Sequence, residues 1–322
     1  MRYRKAARIV LPLLVFAAVS LFFLSEFRKN WASIESFHVA FVPSLAALAF
    51  AALSLTSLLT TYGWFLTLNA LSGRRIGFPE SIAAVNTSNL TKYVPGKVWS
   101  YALQMYWLTD AGYSKSLVLY VNLINVYVSL MTSLLLGAAC MVLLPSGYPL
   151  SATGAAFAAL LVCDVLFVRY HSTLARALIS YVNRVLKRDI GYFEPSAGLL
   201  LHLHLNYFVA AFCFGAGAYL LCLGIGLDVT RTGLLPVMAA MTISDVLGFL
   251  AVIVPGGLGV REGAMYVILR GASSATLSLV LPIAARIATM LVDMSLGLTG
   301  IILLRRLRHA GERGERAGGN GR

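Results

Sequence analysis

The chain has 322 residues, of which 59% are hydrophobic and only 12% are charged, and its formal net charge is +13. A typical soluble domain has about 25% charged residues, so this composition excludes an ordinary soluble protein. It indicates an all-α protein that crosses the membrane several times. The apolar segments continue almost from end to end, which leaves no soluble basic domain for nucleic acid binding.

Six apolar segments are long enough to span a bilayer, which requires about 20 residues for roughly 30 Å of hydrocarbon. They lie near 8–26, 40–71, 115–145, 151–169, 197–225 and 275–304. We predict one spanning helix for each. The stretch from Thr173 to Lys187 has an apolar face with its cations elsewhere, which predicts a separate helix on the inner membrane surface.

Two further segments are interrupted by Pro-Gly, and each indicates two shorter helical pieces joined at the break. They run from Phe78 to Ala111 and from Leu234 to Arg270. Lipid cannot satisfy the backbone groups that such a break frees, so broken helices at membrane depth persist only inside protein or along a water-filled cavity. We therefore predict two re-entrant hairpins, of which the piece from Pro236 to Val254 is just long enough to span instead.

The distribution of Lys and Arg predicts cytoplasmic N- and C-termini, because cytoplasmic loops carry an excess of these residues. Only Arg28, Lys29 and Arg231 then lie outside. The cytoplasmic side carries Arg2, Arg4, Lys5, Arg8, Arg74, Arg75, Arg169, Arg176, Arg184, Lys187, Arg188, Arg305, Arg306, Arg308, Arg313 and Arg316. Topology and attraction to anionic headgroups explain much of the charge. We expect a multi-pass protein of the cell (inner) membrane, with a transmembrane domain at 1–308 and a disordered basic tail at 309–322.

An internal repeat is also indicated. Pro95 and Pro255 are 160 residues apart, and the same offset carries the second and third predicted helices onto the fifth and sixth. We predict two units of helix, broken hairpin and helix, at about 40–145 and 197–305, with opposite orientations in the membrane. Inverted repeats whose broken helices meet near the bilayer centre are typical of secondary transporters, with the substrate at the repeat interface.

The residues around the two breaks resemble the lysylphosphatidylglycerol synthase transmembrane family, the flippase-like region also found in the multiple peptide resistance factor. The resemblance covers about residues 5–308, and the matching motifs are Lys92-Tyr93-Val94-Pro95-Gly96-Lys97-Val98-Trp99 and Pro255-Gly256-Gly257-Leu258-Gly259-Val260-Arg261-Glu262-Gly263. It implies a membrane domain that moves an aminoacylated phospholipid from the inner to the outer leaflet. Because the chain ends shortly after Leu304, we expect a stand-alone membrane domain without the aminoacyl-transferase domain. Stand-alone relatives belong to varied lipid and glycolipid pathways, so the resemblance does not fix the substrate.

The motifs supply candidate residues for substrate binding and translocation. Each break exposes a helix N-terminus that favours an anion, and Arg261 can hold a phosphate through its fork. Arg286 and Asp293 lie in an apolar segment on one helix face, where charges are costly and usually paired. We predict a site formed by Lys92, Tyr93, Pro95, Gly96, Lys97, Trp99, Asp245, Pro255, Gly256, Gly257, Gly259, Arg261, Glu262, Arg286 and Asp293. The alternative is purely structural: kinked helices, snorkelling cations and buried pairs.

The leading functional hypothesis is a lipid flippase that moves a phosphate-bearing lipid, namely an aminoacyl-phospholipid, a phospholipid or a polyprenyl-phosphate-linked glycolipid. One alternative is an intramembrane transferase in lipid, glycolipid or hopanoid synthesis, with Glu262 or Asp245 as base. Another is a non-transporting scaffold for a separate lipid-synthesising enzyme. We expect no catalytic residue, metal or cofactor. Asp164 has no evident partner, and Asn122, Asn125, His204 and Asn206 are expected to form interhelical hydrogen bonds.

Overall fold

The computed structural model describes residues 38–93, 98–144, 149–186, 191–230, 232–251 and 254–319, together with isolated positions between 25 and 35. Throughout these ranges the regular structure is helical and contains no β-strand. The first predicted spanning helix, near 8–26, lies outside the described residues. So do Pro95, Gly96 and Lys97 of the first break.

Nine α-helices form the described part of the chain. Five of them are long and apolar enough to cross a membrane, and they coincide with five of the six predicted spans, so the prediction of an all-α polytopic membrane protein is confirmed. The helices are α1 (Pro43–Ser72), α2 (Phe78–Asn89), α3 (Val98–Asp110), α4 (Lys115–Val142), α5 (Leu150–Leu186), α6 (Ala197–Gly224), α7 (Leu234–Leu250), α8 (Val260–Arg270) and α9 (Ala275–Gly319). The spanning candidates are α1, α4, α5, α6 and α9.

Two sequence-based boundaries differ from the observed helices. The predicted span at 151–169 and the predicted surface helix from Thr173 belong to one continuous helix, α5, because no Pro or Gly lies between them. The predicted tail begins inside α9, which runs on to Gly319. The division of the chain into a domain and a tail stays a prediction.

The most extensive helix pairing joins α1 to α6. Gly63 lies against Tyr207 near one end of this pair, and Gly224 lies against Ala46 near the other end, so the two helices are antiparallel. Small residues at a membrane helix interface let the backbones approach closely. The opposite directions of α1 and α6 are what two inverted units require, while the inverted repeat itself stays a prediction.

Each predicted unit packs its last helix against the broken hairpin of the other unit. Helix α4 packs against α7, and α9 packs against α2. Both contacts use a glycine: Gly137 of α4 lies against Thr242 and Ile243, and Gly297 of α9 lies against Leu90 at the end of α2. The two glycines are 160 residues apart, the same offset that relates the two breaks. Neither hairpin is therefore covered by its own unit alone.

The two hairpins begin at opposite ends of the α1–α6 pair. The ends of the first hairpin lie together, since Arg74 donates a hydrogen bond to the Ala111 carbonyl. At the far end, Leu227 after α6 packs in one buried cluster with Leu269 and Leu277, which flank the exit of the second hairpin. Short 3-10 turns at the two breaks, Leu90–Tyr93 and Pro255–Gly257, contact each other. The breaks therefore meet inside the protein.

Gly137→Ala should lower thermal stability, because the added Cβ would lie 2.5 Å from Ile243 Cγ1 and 2.7 Å from Thr242 Oγ1. Overpacking of this kind costs about 1–3 kcal/mol. Gly154→Ala is the matched control, since no neighbouring atom lies within 4 Å of its Cβ position. Heating the detergent-purified variants and measuring the remaining monodisperse fraction checks the prediction. Equal melting temperatures for the two variants would contradict the close α4–α7 packing.

The predicted opposed hairpins can be tested by thiol labelling. In a cysteine-free background, a single cysteine near Pro95 should react with a membrane-impermeant reagent applied from the cytoplasmic side. A cysteine near Gly257 should react from the outside. The natural Cys140, Cys163, Cys213 and Cys222 are replaced first. Labelling of both positions from the same side would end the inverted-repeat interpretation.

Candidate functional site

A cavity of about 220 Å³ lies where the two breaks meet. Its lining includes six of the predicted site residues: Lys92, Asp245, Gly256, Arg261, Arg286 and Asp293. These residues come from α2's end, α7, the second break, α8 and α9. The structure thus brings together residues that are far apart in the sequence, some proposed from the two motifs and the others as charges within apolar segments.

The remaining predicted residues have different positions. Gly257, Gly259 and Glu262 belong to the second break and its following helix but do not line the cavity. Trp99 is 54% exposed and lines a separate apolar surface cavity. Pro95, Gly96 and Lys97 lie outside the described residues, and the side chains of Tyr93 and Pro255 are likewise not described.

The first break is tied to α9 by an ion pair. Lys92 Nζ lies 2.7 Å from Asp293 Oδ2, and the Asp293 side chain is only 10% exposed, whereas that of Lys92 is 42% exposed. A carboxylate buried to this extent within the membrane needs a cationic partner. Lys92 is this partner, and part of its side chain remains exposed at the cavity.

The second break requires glycine at its centre. Gly257 has a φ of 68°, and a Cβ there would lie 2.6 Å from the Gly248 carbonyl oxygen of α7. Glycine adopts positive φ without steric penalty, and its missing side chain lets the break approach the α7 backbone. The backbone conformation of the second break therefore requires the motif's Gly257, apart from any role of the motif in binding.

The Glu262 side chain caps the N-terminus of α8. Its Oε2 accepts a hydrogen bond of 2.7 Å from the Gly259 N–H, which satisfies one of the donors left without a partner at the helix N-terminus. A carboxylate at this position is also favoured by the helix dipole. We expected a bound anion at this helix N-terminus, and the carboxylate of Glu262 takes up part of that position.

Arg286 of α9 holds the other side of the same break. Its Nη1 donates a 2.8 Å hydrogen bond to the Gly256 carbonyl, and the same atom lies 3.6 Å from Glu262 Oε1. Both side chains are nearly buried, at 12% and 13% exposure. One helix therefore contacts both breaks, the first through Asp293 and the second through Arg286, as the shared helix face of these residues allows.

Arg261 has different partners from its neighbour Glu262. Its Nη1 lies 3.3 Å from Asp245 Oδ1, and its guanidinium lies 5.3 Å from the centre of the Phe214 ring. The Arg261 side chain is 11% exposed and the Asp245 side chain 47% exposed. Successive residues of a helix point in different directions, so the adjacent charges enter two separate ion pairs.

Three cations and three carboxylates consequently balance one another around the described cavity. Lys97, a further cation among the predicted site residues, lies outside the described residues. The half-exposed members, Lys92 and Asp245, are the charged groups best placed to exchange a partner with a ligand. The buried Asp293, Glu262 and Arg286 hold the breaks, whereas the buried Arg261 pairs with Asp245 and lines the cavity.

Several lining residues were not predicted. They are Asn89, Ser100, Tyr101, Gly248, Phe249 and Thr289. Thr289 was identifiable from sequence, because it lies between Arg286 and Asp293 at helical spacing on the same face. Tyr101 adds a phenol hydroxyl to the lining, which can donate a hydrogen bond.

A second buried polar contact lies outside this cavity. His204 Nε2 of α6 lies 3.2 Å from Asp164 Oδ1 of α5, so Asp164 has the partner that sequence did not identify. Residues 40 positions apart carry no local spacing signal, and only the packing of the two helices reveals the pair. The interhelical hydrogen bond expected for His204 is confirmed, as are those of Asn125, which accepts from Tyr207, and Asn206, which donates to the Leu59 carbonyl. Asn122 instead donates within its own helix, to the Val118 carbonyl.

These features define a class: a polytopic helical membrane protein with two interrupted hairpins around a charged internal cavity. The family model for the lysylphosphatidylglycerol synthase TM region matches residues 9–297, nearly the whole chain. The protein belongs to this family, as the motif resemblance indicated. Among individually curated proteins, no match to the chain is found. The family indicates a function connected with membrane lipids.

The Glu262–Arg286 pair should show strong energetic coupling. Glu262→Gln and Arg286→Gln should each destabilise the protein substantially, because removing one partner of a buried pair costs about 3–5 kcal/mol. The double variant should lose much less than the sum. Arg176 and Glu194, 3.3 Å apart but 62% and 53% exposed, form the control pair, for which the coupling should be much weaker because solvent screens it. Denaturation in detergent measures both cycles, and additive losses at Glu262 and Arg286 would refute the pairing.

Proposed function

We propose that this protein moves a phosphate-bearing lipid between the leaflets of the membrane. The observation that carries the proposal is the charged cavity at the junction of the two breaks. Charges inside a membrane protein are costly and commonly mark a substrate or ion pathway. The membrane-lipid connection of the family supports a lipid as the substrate.

The exposed fractions of the paired side chains favour ligand exchange over a purely structural role. A phosphate can approach Lys92 from the cavity and replace part of its interaction with Asp293. It can also approach Arg261, whose planar guanidinium presents two parallel donors to phosphate oxygens. The protein carboxylates then keep these cations paired when no lipid is bound, which lowers the cost of the empty state.

The arrangement of helices supports alternating exposure of such a cavity. The two hairpins begin at opposite ends of the α1–α6 pair, and their breaks contact each other between those ends. In many transporters, rocking of one repeat against the other exposes a central site first to one side and then to the other. The same motion here would present the lipid headgroup to each leaflet in turn.

Transport should depend on the cavity cations. In vesicles containing the reconstituted protein, fluorescent phosphatidylglycerol should exchange between leaflets faster than a fluorescent neutral glycosyl diacylglycerol. Arg261→Gln should slow this exchange about 10-fold or more, since hydrogen bonds to charged groups contribute about 1.5–3 kcal/mol. Arg176→Gln, which changes an exposed arginine outside the cavity, should leave the rate unchanged. Loss of outer-leaflet fluorescence on adding dithionite measures the exchange.

The charge at position 97 supplies an independent comparison. Lys97→Glu should slow transport of the anionic lipid far more than Lys97→Arg, because only the first reverses the local field. Equal transport of both lipids, whatever the charge at this position, would contradict phosphate recognition.

Mass spectrometry of the recovered lipid separates the alternative functions. A chemically altered labelled lipid indicates the transferase, and a labelled lipid that is neither altered nor moved between leaflets indicates the scaffold.

A further inference from the structure

We propose a second lipid site, for the headgroup phosphate of an anionic phospholipid, at the turn between α1 and α2. A cavity of about 410 Å³ lies there, and we call it the arginine pocket. Its wall includes Arg74, Arg75, Glu80, Trp107, Tyr113 and Leu304. It shares no lining residue with the central cavity, so it is a separate site from the one assigned to transport.

The turn that carries the two arginines is held in one conformation by α1. Asn69 clamps Ile76 through both backbone groups, accepting from its N–H at 2.8 Å and donating to its carbonyl at 3.1 Å. Ser72 does the same for Arg74, donating to the carbonyl at 2.7 Å and accepting from the N–H at 3.1 Å. A ligand site built on a fixed turn loses less conformational entropy on binding.

The charged residues in the wall of the arginine pocket are two arginines and one glutamate, so the wall is net positive. Arg74 uses one guanidinium nitrogen for the Ala111 carbonyl, at 3.4 Å, and an arginine has five N–H donors. Arg305 and Arg306 follow the lining residue Leu304 in α9, and Asp110 precedes the lining residue Ala111; all three are exposed and none belongs to the pocket wall. Against its two arginines the pocket wall contains one carboxylate, Glu80, in the first turn of α2.

The position of the arginine pocket matches the headgroup layer. Two candidate spans end beside it, α1 at Ser72 and the spanning part of α9 at Arg306. Trp107 and Tyr113 add aromatic rings, which prefer the membrane–water interface. Leu304 adds apolar surface. Arginine, aromatic rings and apolar surface together suit a phosphate joined to a diacylglycerol better than a soluble anion.

The arginine pocket differs from ordinary positive charge at the cytoplasmic ends of helices. Arg184 lies near the end of α5, at the same end of the molecule as the α1–α2 turn, and it is exposed. It lines none of the cavities described above. If charge alone attracted the lipid, removal of Arg184 and removal of the Arg74–Arg75 pair should have similar effects on lipid binding. If the lipid binds in the pocket, only removal of the Arg74–Arg75 pair should weaken it.

Lipid retention by the purified protein tests this inference. Native mass spectrometry of the protein in neutral detergent, titrated with phosphatidylglycerol or phosphatidylcholine, counts bound lipids. Wild-type protein should bind phosphatidylglycerol in preference, and Arg74→Gln combined with Arg75→Gln should weaken the tightest binding step about 10-fold. Arg184→Gln should bind as wild type does. The Arg74→Lys, Arg75→Lys variant, which keeps the charge and the fold, should retain part of the affinity.

Three outcomes would overturn the site. The first is equal loss in the glutamine pair variant and in Arg184→Gln, which would indicate an effect of charge alone. The second is equal retention of the two lipids by wild-type protein. The third is displacement of phosphatidylglycerol by inorganic phosphate at equal concentration, which would indicate a site for a soluble anion. The site is measured by the difference in binding between the glutamine pair variant and wild type, whereas transport is measured by leaflet exchange, so the absence of this difference leaves the transport proposal intact.

Discussion

The second break depends on side chains that replace the hydrogen bonds water would otherwise supply. Lipid offers no partner to backbone groups freed from a helix. Glu262 accepts from the Gly259 N–H, and Arg286 donates to the Gly256 carbonyl. These two side chains also form an ion pair, so the break, the start of α8 and α9 stabilise one another. Gly256 and Arg286 line the cavity, and the contacts that satisfy the broken helix therefore also fix one wall of the site.

Much of this architecture was predictable from the chain itself. Apolar segments of sufficient length predicted the five spans that the structure describes, because hydrocarbon thickness sets helix length. Charges inside those segments predicted pairing, because an isolated charge there is costly. The shared face of Arg286 and Asp293 followed from helical periodicity. Composition, length and spacing are local properties of the sequence. They were sufficient to predict the membrane class and to predict that the motif residues lie together.

The choice of partners was not predictable, because it depends on which helices pack together. Arg261 and Glu262 are adjacent, yet Asp245 and Arg286 come from two other helices to pair with them. His204 reaches Asp164 across 40 residues. The capping of α8 by Glu262 was also missed, although a glutamate three residues after the glycine carries the signal of a capping box. Sequence spacing predicts which residues share a face of a helix. The residues that this face contacts depend on how the helices pack together.

The packing of each hairpin against a helix of the other predicted unit has a mechanical consequence. Helix α4 supports the hairpin arm α7, and α9 supports the arm α2. Each arm therefore has part of its packing surface on the other predicted unit and part on its own, since α7 also packs against α6 and α2 against α1. Close-packed interiors transmit displacement and do not absorb it. A displacement of either arm therefore acts on a helix of the other predicted unit, and the two are mechanically coupled at these contacts.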